Sequence, residues 1–429
     1  ERGTLAGTGR VAAEVSVAGR LSPAGDQATG TLTLAGALAL QPGAVLAFDL
    51  SAPQTDRLVV EGGLTADFTA LDFEITRQEA ATPEPVTIFQ VAGPLTAGSE
   101  VVTALDGLRY LVEAGAGAVT LEALDLTLAG TSGADQQMAG VGDDTLLGSA
   151  GADLLAGGAG RDRADFSTST AVTLDLARGL AAGGDAAGDT LTGIEDLTGS
   201  NFEDLLSGDL AANRLDGGAR DDELRGRAGD DTLLGQGGND RLAGGPGADL
   251  LDGGTGSDLL EGGHGADTLS TDAGANTLFG GPGDDLLTGG SAGDSLFGGS
   301  GADVLSGGVG NDTLEGGAGA DTLTGELGAD LLTGRGGADT FRFLSPDESR
   351  PNLRDTITDF TPGRDRIDLS AMDFSFIGSD PFSGQAGELR TAISGAETFV
   401  MGDVDGDGVT ELQIALTGAL TLSAADFIL

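Results

Sequence analysis

The chain has no cysteine, no tryptophan and no lysine, and holds one histidine and one tyrosine in 429 residues. Without cysteine there is neither a disulfide staple nor a thiol nucleophile. Without lysine no G-x-x-x-x-G-K phosphate loop can be assembled. A single histidine removes the zinc-protease motifs, which need several, and leaves a Ser-His-Asp triad resting on His264 alone. Aromatic residues make up 4% of the chain, too few for the stacking platforms that carboxylate pairs acting on polysaccharides use. Tyr110, in LRYLVE, reads as a core or rim residue. There is no long apolar run of membrane-spanning length, and no leader-like pattern follows Glu1. Positive charge is scarce as well: 21 basic residues face 68 acidic ones, for a net charge of −47. Such a polyanion repels nucleic acid and anionic membranes, and its self-repulsion opposes compaction until counter-ions bind. These absences argue against an enzyme, against a nucleic-acid partner and against membrane insertion.

What the chain has is glycine, 77 of them, and a period. Sixteen consecutive nine-residue units run from 199 to 342 without insertion or deletion, with consensus G-G-x-G-x-D-x-L-x; examples are GGPGADLLD (244–252), GGTGSDLLE (253–261) and GGAGADTLT (316–324). Their sixth positions are Asp204, Asn213, Asp222, Asp231, Asp240, Asp249, Asp258, Asp267, Asn276, Asp285, Asp294, Asp303, Asp312, Asp321, Asp330 and Asp339. The eighth position is leucine from Leu206 to Leu332, and Phe341 in the last unit. Four more units fill 130–165, with Asp135, Asp144, Asp153 and Asp162 at position six. They are out of phase with the sixteen, because the offset of 69 residues between 130 and 199 is not a multiple of nine.

The glycines allow a tight turn over the first six residues, and x-L-x is long enough for a very short strand with its leucine pointing inward. One unit cannot bury its leucine alone, so units must stack. Two units per coil would set two leucine rows face to face. Coils ~4.8 Å apart would make the sixteen units a rod roughly 38 Å long. Stacking also aligns the aspartates at that spacing, where like charges repel unless a cation lies between them. The ligands on offer are carboxylates and turn carbonyls. An all-oxygen set of this kind suits calcium better than magnesium, which demands strict octahedral geometry. His264 sits in a variable turn position and reads as an exposed turn residue.

These units resemble the RTX, or hemolysin-type, calcium-binding nonapeptides. The resemblance implies an all-β chain: a right-handed parallel β-roll, a form of β-solenoid, with multiple Ca2+ ions between its turns. The segment 166–198 resembles an insert between RTX blocks and should continue the solenoid with longer coils. The stretches GADTFRF (337–343), RDTITDFTPGRDRIDLSAMD (354–373) and SAADFIL (423–429) resemble the C-terminal domain of serralysin-type proteases. That implies a β-sandwich-like cap over 343–429 ending in a type I secretion signal, Asp426-Phe427-Ile428-Leu429. Phe343, Phe360, Phe374, Phe376, Phe382 and Phe399 supply core residues that the repeats lack. Residues 1–129 alternate in β fashion (30–50, 56–63, 85–93), and 3–100 are similar to the rungs of autotransporter-passenger β-helices. The first rung reads as already under way, as if residues preceded it.

A second kind of calcium site is expected at Asp403, Asp405 and Asp407, with Glu411 following. D-x-D-x-D-G sets three carboxylates around a glycine turn. An EF-hand would need an acid where Ile414 stands, so the pattern reads as a short calcium loop on a β-hairpin. The expected protein is an extracellular or cell-surface one, exported by type I secretion and folded by calcium. Two roles are open: a structural subunit of an S-layer, matrix or filament that self-associates or binds cell-surface components, or the C-terminal module of a larger adhesin or enzyme.

Overall fold

A computed structural model describes residues 125–139 and 142–429 in full and, before them, only the backbone of the strands. Those early strands form three parallel stacks. Thr4–Ala6, Arg20–Ser22, Val45–Asp49 and Asp72–Thr76 make the first. Gly9–Val11, Thr31–Leu34, Arg57–Val60 and Val86–Val91 make the second. Val15–Val17, Leu38–Leu40, Leu64–Thr65 and Leu95–Thr96 make the third. Taking one strand from each stack in turn is the chain path of a β-helix with three strands per coil. An antiparallel set, Glu100–Thr103, Arg109–Gly115 and Ala118–Ala123, follows. The side chain of Tyr110 lies outside the described residues.

From residue 127 onward the chain is a two-sheet parallel solenoid. Each strand pairs in parallel with the one 18 residues on, as Leu224 does with Leu242 and Leu233 with Leu251. The period of nine therefore gives two strands per coil, one in each sheet. The eighth-position residues, Leu206 to Phe341, are all fully buried and form two facing rows. Burying one leucine contributes roughly 1.5–3 kcal/mol, so the rows carry the apolar cohesion of a core only two side chains thick. Positions seven and nine flank each buried residue on the outer face, as in Leu259–His264, where Leu259 and Glu261 are half-buried and Leu260 is buried.

Glycine is demanded at position four by close approach. Gly256 has φ +137°, and a Cβ there would strike the carbonyl of Gly238 one coil before.

The insert continues the solenoid as expected. Thr190–Thr192 pairs with Leu154–Ala156, and Asp196–Thr198 with Arg163–Asp165, spanning coils of 36 and 33 residues. The extra length loops out as Thr173–Asp175 paired antiparallel with Leu180–Ala182. Residues 184–192, GDAAGDTLT, are a degenerate nonapeptide in phase with the first four. The six-residue stretch 193–198 then falls three short, which produces the phase change between the two blocks.

Both sheets run on into the C-terminal segment. Ile357 pairs with Leu332 and Ile367 with Phe341, extending the two buried rows. An antiparallel set, Glu388–Ser394, Glu397–Asp403 and Leu412–Thr417, joins one sheet. Phe427–Ile428 ends the other, beside Arg366–Asp368. Phe343, Phe360, Phe374 and Phe427 are buried there. The tail is folded in: Asp426 is buried and accepts hydrogen bonds from Ser423 N and Gly363 N. Among the described residues no helix is long and apolar enough to cross a membrane.

Candidate calcium centre

The sixth-position residues lie in two columns, one along each edge of the roll. In each, the Oδ1 of one residue accepts a hydrogen bond from the backbone N–H of its counterpart one coil earlier. On one edge the chain of donors runs Asp204, Asp222, Asp240, Asp258, Asn276, Asp294, Asp312 and Asp330, at 2.7–2.9 Å. On the other it runs Asn213, Asp231, Asp249, Asp267, Asp285, Asp303, Asp321 and Asp339, at 2.8–3.3 Å. The first four repeats join the same columns: Asp135 donates to Asp153, and Leu126 and Asp144 donate to Asp144 and Asp162.

This ladder occupies one carboxylate oxygen and strands the other. The Oδ2 atoms of Asp162, Asp222, Asp231, Asp240, Asp249, Asp258, Asp267, Asp285, Asp294, Asp303, Asp312, Asp321, Asp330 and Asp339 are buried without a hydrogen-bond partner. Buried polar atoms in native proteins nearly always find a partner, and a buried carboxylate without one is costly. Position-one glycine carbonyls face the same spaces. A Cβ placed on Gly253 would lie 2.6 Å from Asp258 Oδ2, and one on Gly235 would lie 2.8 Å from the carbonyl of Gly253. The spaces thus bring carboxylate and carbonyl oxygens together with no hydrogen-bond donor to the Oδ2 atoms, which fits a hard cation that takes six to eight oxygens.

Burial and neighbouring charge show in the proton affinities. Burial first, then the facing Asp204 and Asp240, push Asp222 up to about 8. Burial likewise raises Asp162 and Asp231 to about 7, and Asp240, Asp249, Asp285, Asp294 and Asp303 to about 6. These shifts belong to the ion-free roll, in which the carboxylates resist ionisation.

Other expected ligands are engaged differently. Asp135 Oδ2 accepts from Thr131 N and Oγ1, Asp153 Oδ2 from Ser149 Oγ, and Asp204 Oδ2 from Ser200 N. Asn213 accepts from Asp209 N and donates to the Glu195 carbonyl. The two asparagines therefore differ from the aspartates: each amide satisfies itself by hydrogen bonds, because its Nδ2 donates where a carboxylate cannot. In the C-terminal hairpin loop, ligand oxygens of Asp403, Asp405 and Glu411 lie within 4.8 Å of one another. Asp407 stays out of that group and accepts from Val409 N. Asp403, fully buried, already accepts from Gly406 N and Gly408 N. His264 is exposed, at the end of the strand Leu259–His264 rather than in a turn.

Sequence reasoning missed four residues of the columns, among them Asp365, whose Oδ1 accepts from Asp339 N. Asp189 accepts from Asp153 N, and Asp355 from Asp330 N, each leaving a buried Oδ2 without a partner. Glu195 accepts from Asp162 N in the place of an aspartate. Burial and the facing Asp330 charge push Asp355 up. The signal was present: Asp189-Thr190-Leu191 and Asp355-Thr356-Ile357 keep the D-x-apolar triplet of the repeats.

The family model for the RTX calcium-binding nonapeptide repeat matches residues 129–164, 189–219 and 207–242. The chain carries RTX calcium-binding repeats. The model for the peptidase M10 serralysin C terminal matches residues 226–429. RTX nonapeptides bind Ca2+ at multiple sites, so calcium is this roll's cation. Two solved structures from Azotobacter vinelandii are similar over part of the chain. They are the AlgE6R3 and AlgE6R2 subunits of the mannuronan C5-epimerase. The first is 36% identical, over 32% of this chain and 78% of its own, with TM-score 0.27. The second is 35% identical, over 34% and 86%, with TM-score 0.25. No curated protein matches the chain.

RTX repeats followed by a serralysin-type C-terminal segment mark a calcium-binding protein of the type I-secreted, extracellular class. Neither is a catalytic element.

Proposed function

We propose that this is a non-catalytic structural protein of the cell exterior, a subunit of an S-layer, matrix or filament, folded and assembled by calcium. In this reading the position-six aspartates with a buried, unpartnered Oδ2 are the ion ligands, with Asp403, Asp405 and Glu411 as a separate loop site. The observation that carries the proposal is the pair of columns in which most position-six carboxylates keep a buried, unpartnered oxygen. Nearly every coil has a space that only a cation completes, so the roll is held along its whole length by an ion that the cytosol lacks and the exterior supplies. The chain could then leave the cell unfolded, and calcium binding only the folded coils would drive folding by mass action. Extracellular calcium modules bind at ~10⁻⁴–10⁻³ M, which suits that switch. Exposed apolar side chains on the outer faces, among them Phe279 stacked on Phe297 with ring centroids 4.9 Å apart, support self-association.

A second reading rests on the family match at 226–429, which is to a C-terminal segment of peptidases. In it the chain is the secretion and folding module of a larger adhesin or enzyme. Light scattering with negative-stain microscopy, in millimolar calcium and in excess EGTA, separates the two. Ordered filaments or sheets that dissolve in EGTA support the structural subunit. A calcium-folded monomer that never assembles refutes it in favour of the module.

A further inference from the structure

The sixteen repeats of 199–342 share one rule at position one and break it once. Fifteen have glycine there; the repeat 271–279 has Thr271. The same repeat has Asn276 in place of the aspartate. The two departures meet in space. A position-one Cβ elsewhere in the roll points at the repeat's own Asp Oδ2 and at the position-one carbonyl of the next coil. On Gly280 such an atom would lie 2.7 Å from the Gly298 carbonyl. That is the space the ion is expected to share. At Thr271 a Cβ already fills it.

The polar atoms around Thr271 are then satisfied without an ion. Thr271 Oγ1 donates to the carbonyl of Gly289, the position-one residue of the next coil. Asn276 Nδ2 donates to Thr271 Oγ1 at 2.9 Å and to the Gly274 carbonyl at 2.9 Å, with a longer approach of 3.4 Å to the Gly289 carbonyl. Asn276 Oδ1 keeps its place in the ladder, accepting from Asp258 N at 2.9 Å. The amide orientation follows from these partners, since a flipped amide would set its oxygen against three acceptors. Thr271 and Asn276 are 4% and 2% exposed, and neither has a buried atom left without a partner. The aspartates on either side in the column, Asp258 and Asp294, both do.

We propose that Thr271 and Asn276 form a neutral hydrogen-bonded plug that replaces the calcium ion at this coil. This rests on the calcium reading given above. The plug divides one column into two runs of ion positions, Asp222–Asp258 and Asp294–Asp355. The opposite column, from Asp231 to Asp339, is not interrupted. Threonine beside an aspartate would press its Cβ against the carboxylate, as the 2.4 Å from a Cβ on Gly280 to Asp285 Oδ2 shows; the asparagine removes that charge and supplies the donor that threonine accepts.

The test is an ion count on the full chain by equilibrium dialysis and elemental analysis, for the wild type and for Thr271→Gly combined with Asn276→Asp. The double variant is expected to bind one more calcium per chain. Asn276→Asp alone is expected to bind no additional ion, because the threonine still fills the space. Equal, non-zero counts in the wild type and the double variant would overturn the plug while leaving the calcium reading intact. No calcium in either protein would overturn both. Should the double variant fail to fold, anomalous scattering from calcium in crystals of the wild type decides the question. A peak beside Asn276 like those beside Asp258 and Asp294 would refute the plug, and its absence there with peaks at both neighbours would support it.

Discussion

Calcium and protons should oppose each other in this roll, and the direction of the proton effect without calcium is opposite to that of an ordinary acidic protein. Removing calcium leaves a stack of carboxylates whose folded pKa values are raised mainly by burial. Asp240, Asp249, Asp285, Asp294 and Asp303 stand at about 6, and Asp222 at about 8, against an ordinary value of 3.8. A group whose folded pKa is raised contributes stability that is present below its unfolded pKa and is lost as pH rises through the folded one. The window here is therefore from near pH 4 to about pH 8. One group moved from 3.8 to about 6 corresponds to ~3 kcal/mol between the fully protonated and fully ionised limits. A typical domain is stable by about 5–15 kcal/mol, so ionising two to five such groups is enough to unfold the ion-free roll. The assay is far-UV circular dichroism in excess EGTA, at low protein concentration, from pH 3.5 to pH 8. The β signal should be strongest at the acid end and fade on approach to neutrality. In millimolar calcium the order reverses, because the ion needs the ionised carboxylate and protons compete for it. An ion-free protein that holds its β signal at pH 8 and loses it at pH 4 would refute this reasoning.

Replacing Asp258 and Asp267 together with alanine should weaken the calcium response of the flanking coils and leave distant coils folded. Stacked repeats couple mainly to their neighbours, and each loss strands one buried N–H at a cost of roughly 1–3 kcal/mol. Hydrogen exchange in calcium would show the protection loss confined to the coils around 240–285; global unfolding would contradict it. Leu260→Ala removes a fully buried side chain from a core two residues thick. The expected loss is about 2–5 kcal/mol, read as a raised calcium midpoint with the ion count unchanged. Asp403→Asn should remove terbium luminescence from the C-terminal loop without altering calcium-driven folding of the repeats. An unchanged terbium signal would remove that loop as a site.

The solenoid was legible in the sequence because its two determinants are periodic and local. Leucine at every ninth residue sets the buried rows, and aspartate two residues before each sets the columns. What the sequence did not disclose depends on register between coils. The bond from each Asp N–H to the next Oδ1 exists only once 18-residue stacking is in place, and it is this bond that leaves the second oxygen free for an ion. The same holds for Asp189, Glu195 and Asp355, whose spacings of 36, 33 and 25 residues from their partners hide them from a search at period nine. Asn213 and Asn276 read as ligands because they occupy the ligand position. The structure shows that an amide there can satisfy itself, which a carboxylate cannot. The tail at 426–429, expected as an export signal, is docked beside Arg366–Asp368. Folding would therefore cover it, in keeping with export of the unfolded chain.

The central claim is that calcium folds the roll, and a calcium titration of the metal-free full chain at pH 7.5 followed by far-UV circular dichroism tests it most directly. The account predicts little parallel-β signal in excess EGTA and a cooperative rise to full signal in the sub-millimolar to millimolar range, with no comparable rise in magnesium. A β signal already complete in EGTA and unmoved by calcium would contradict it.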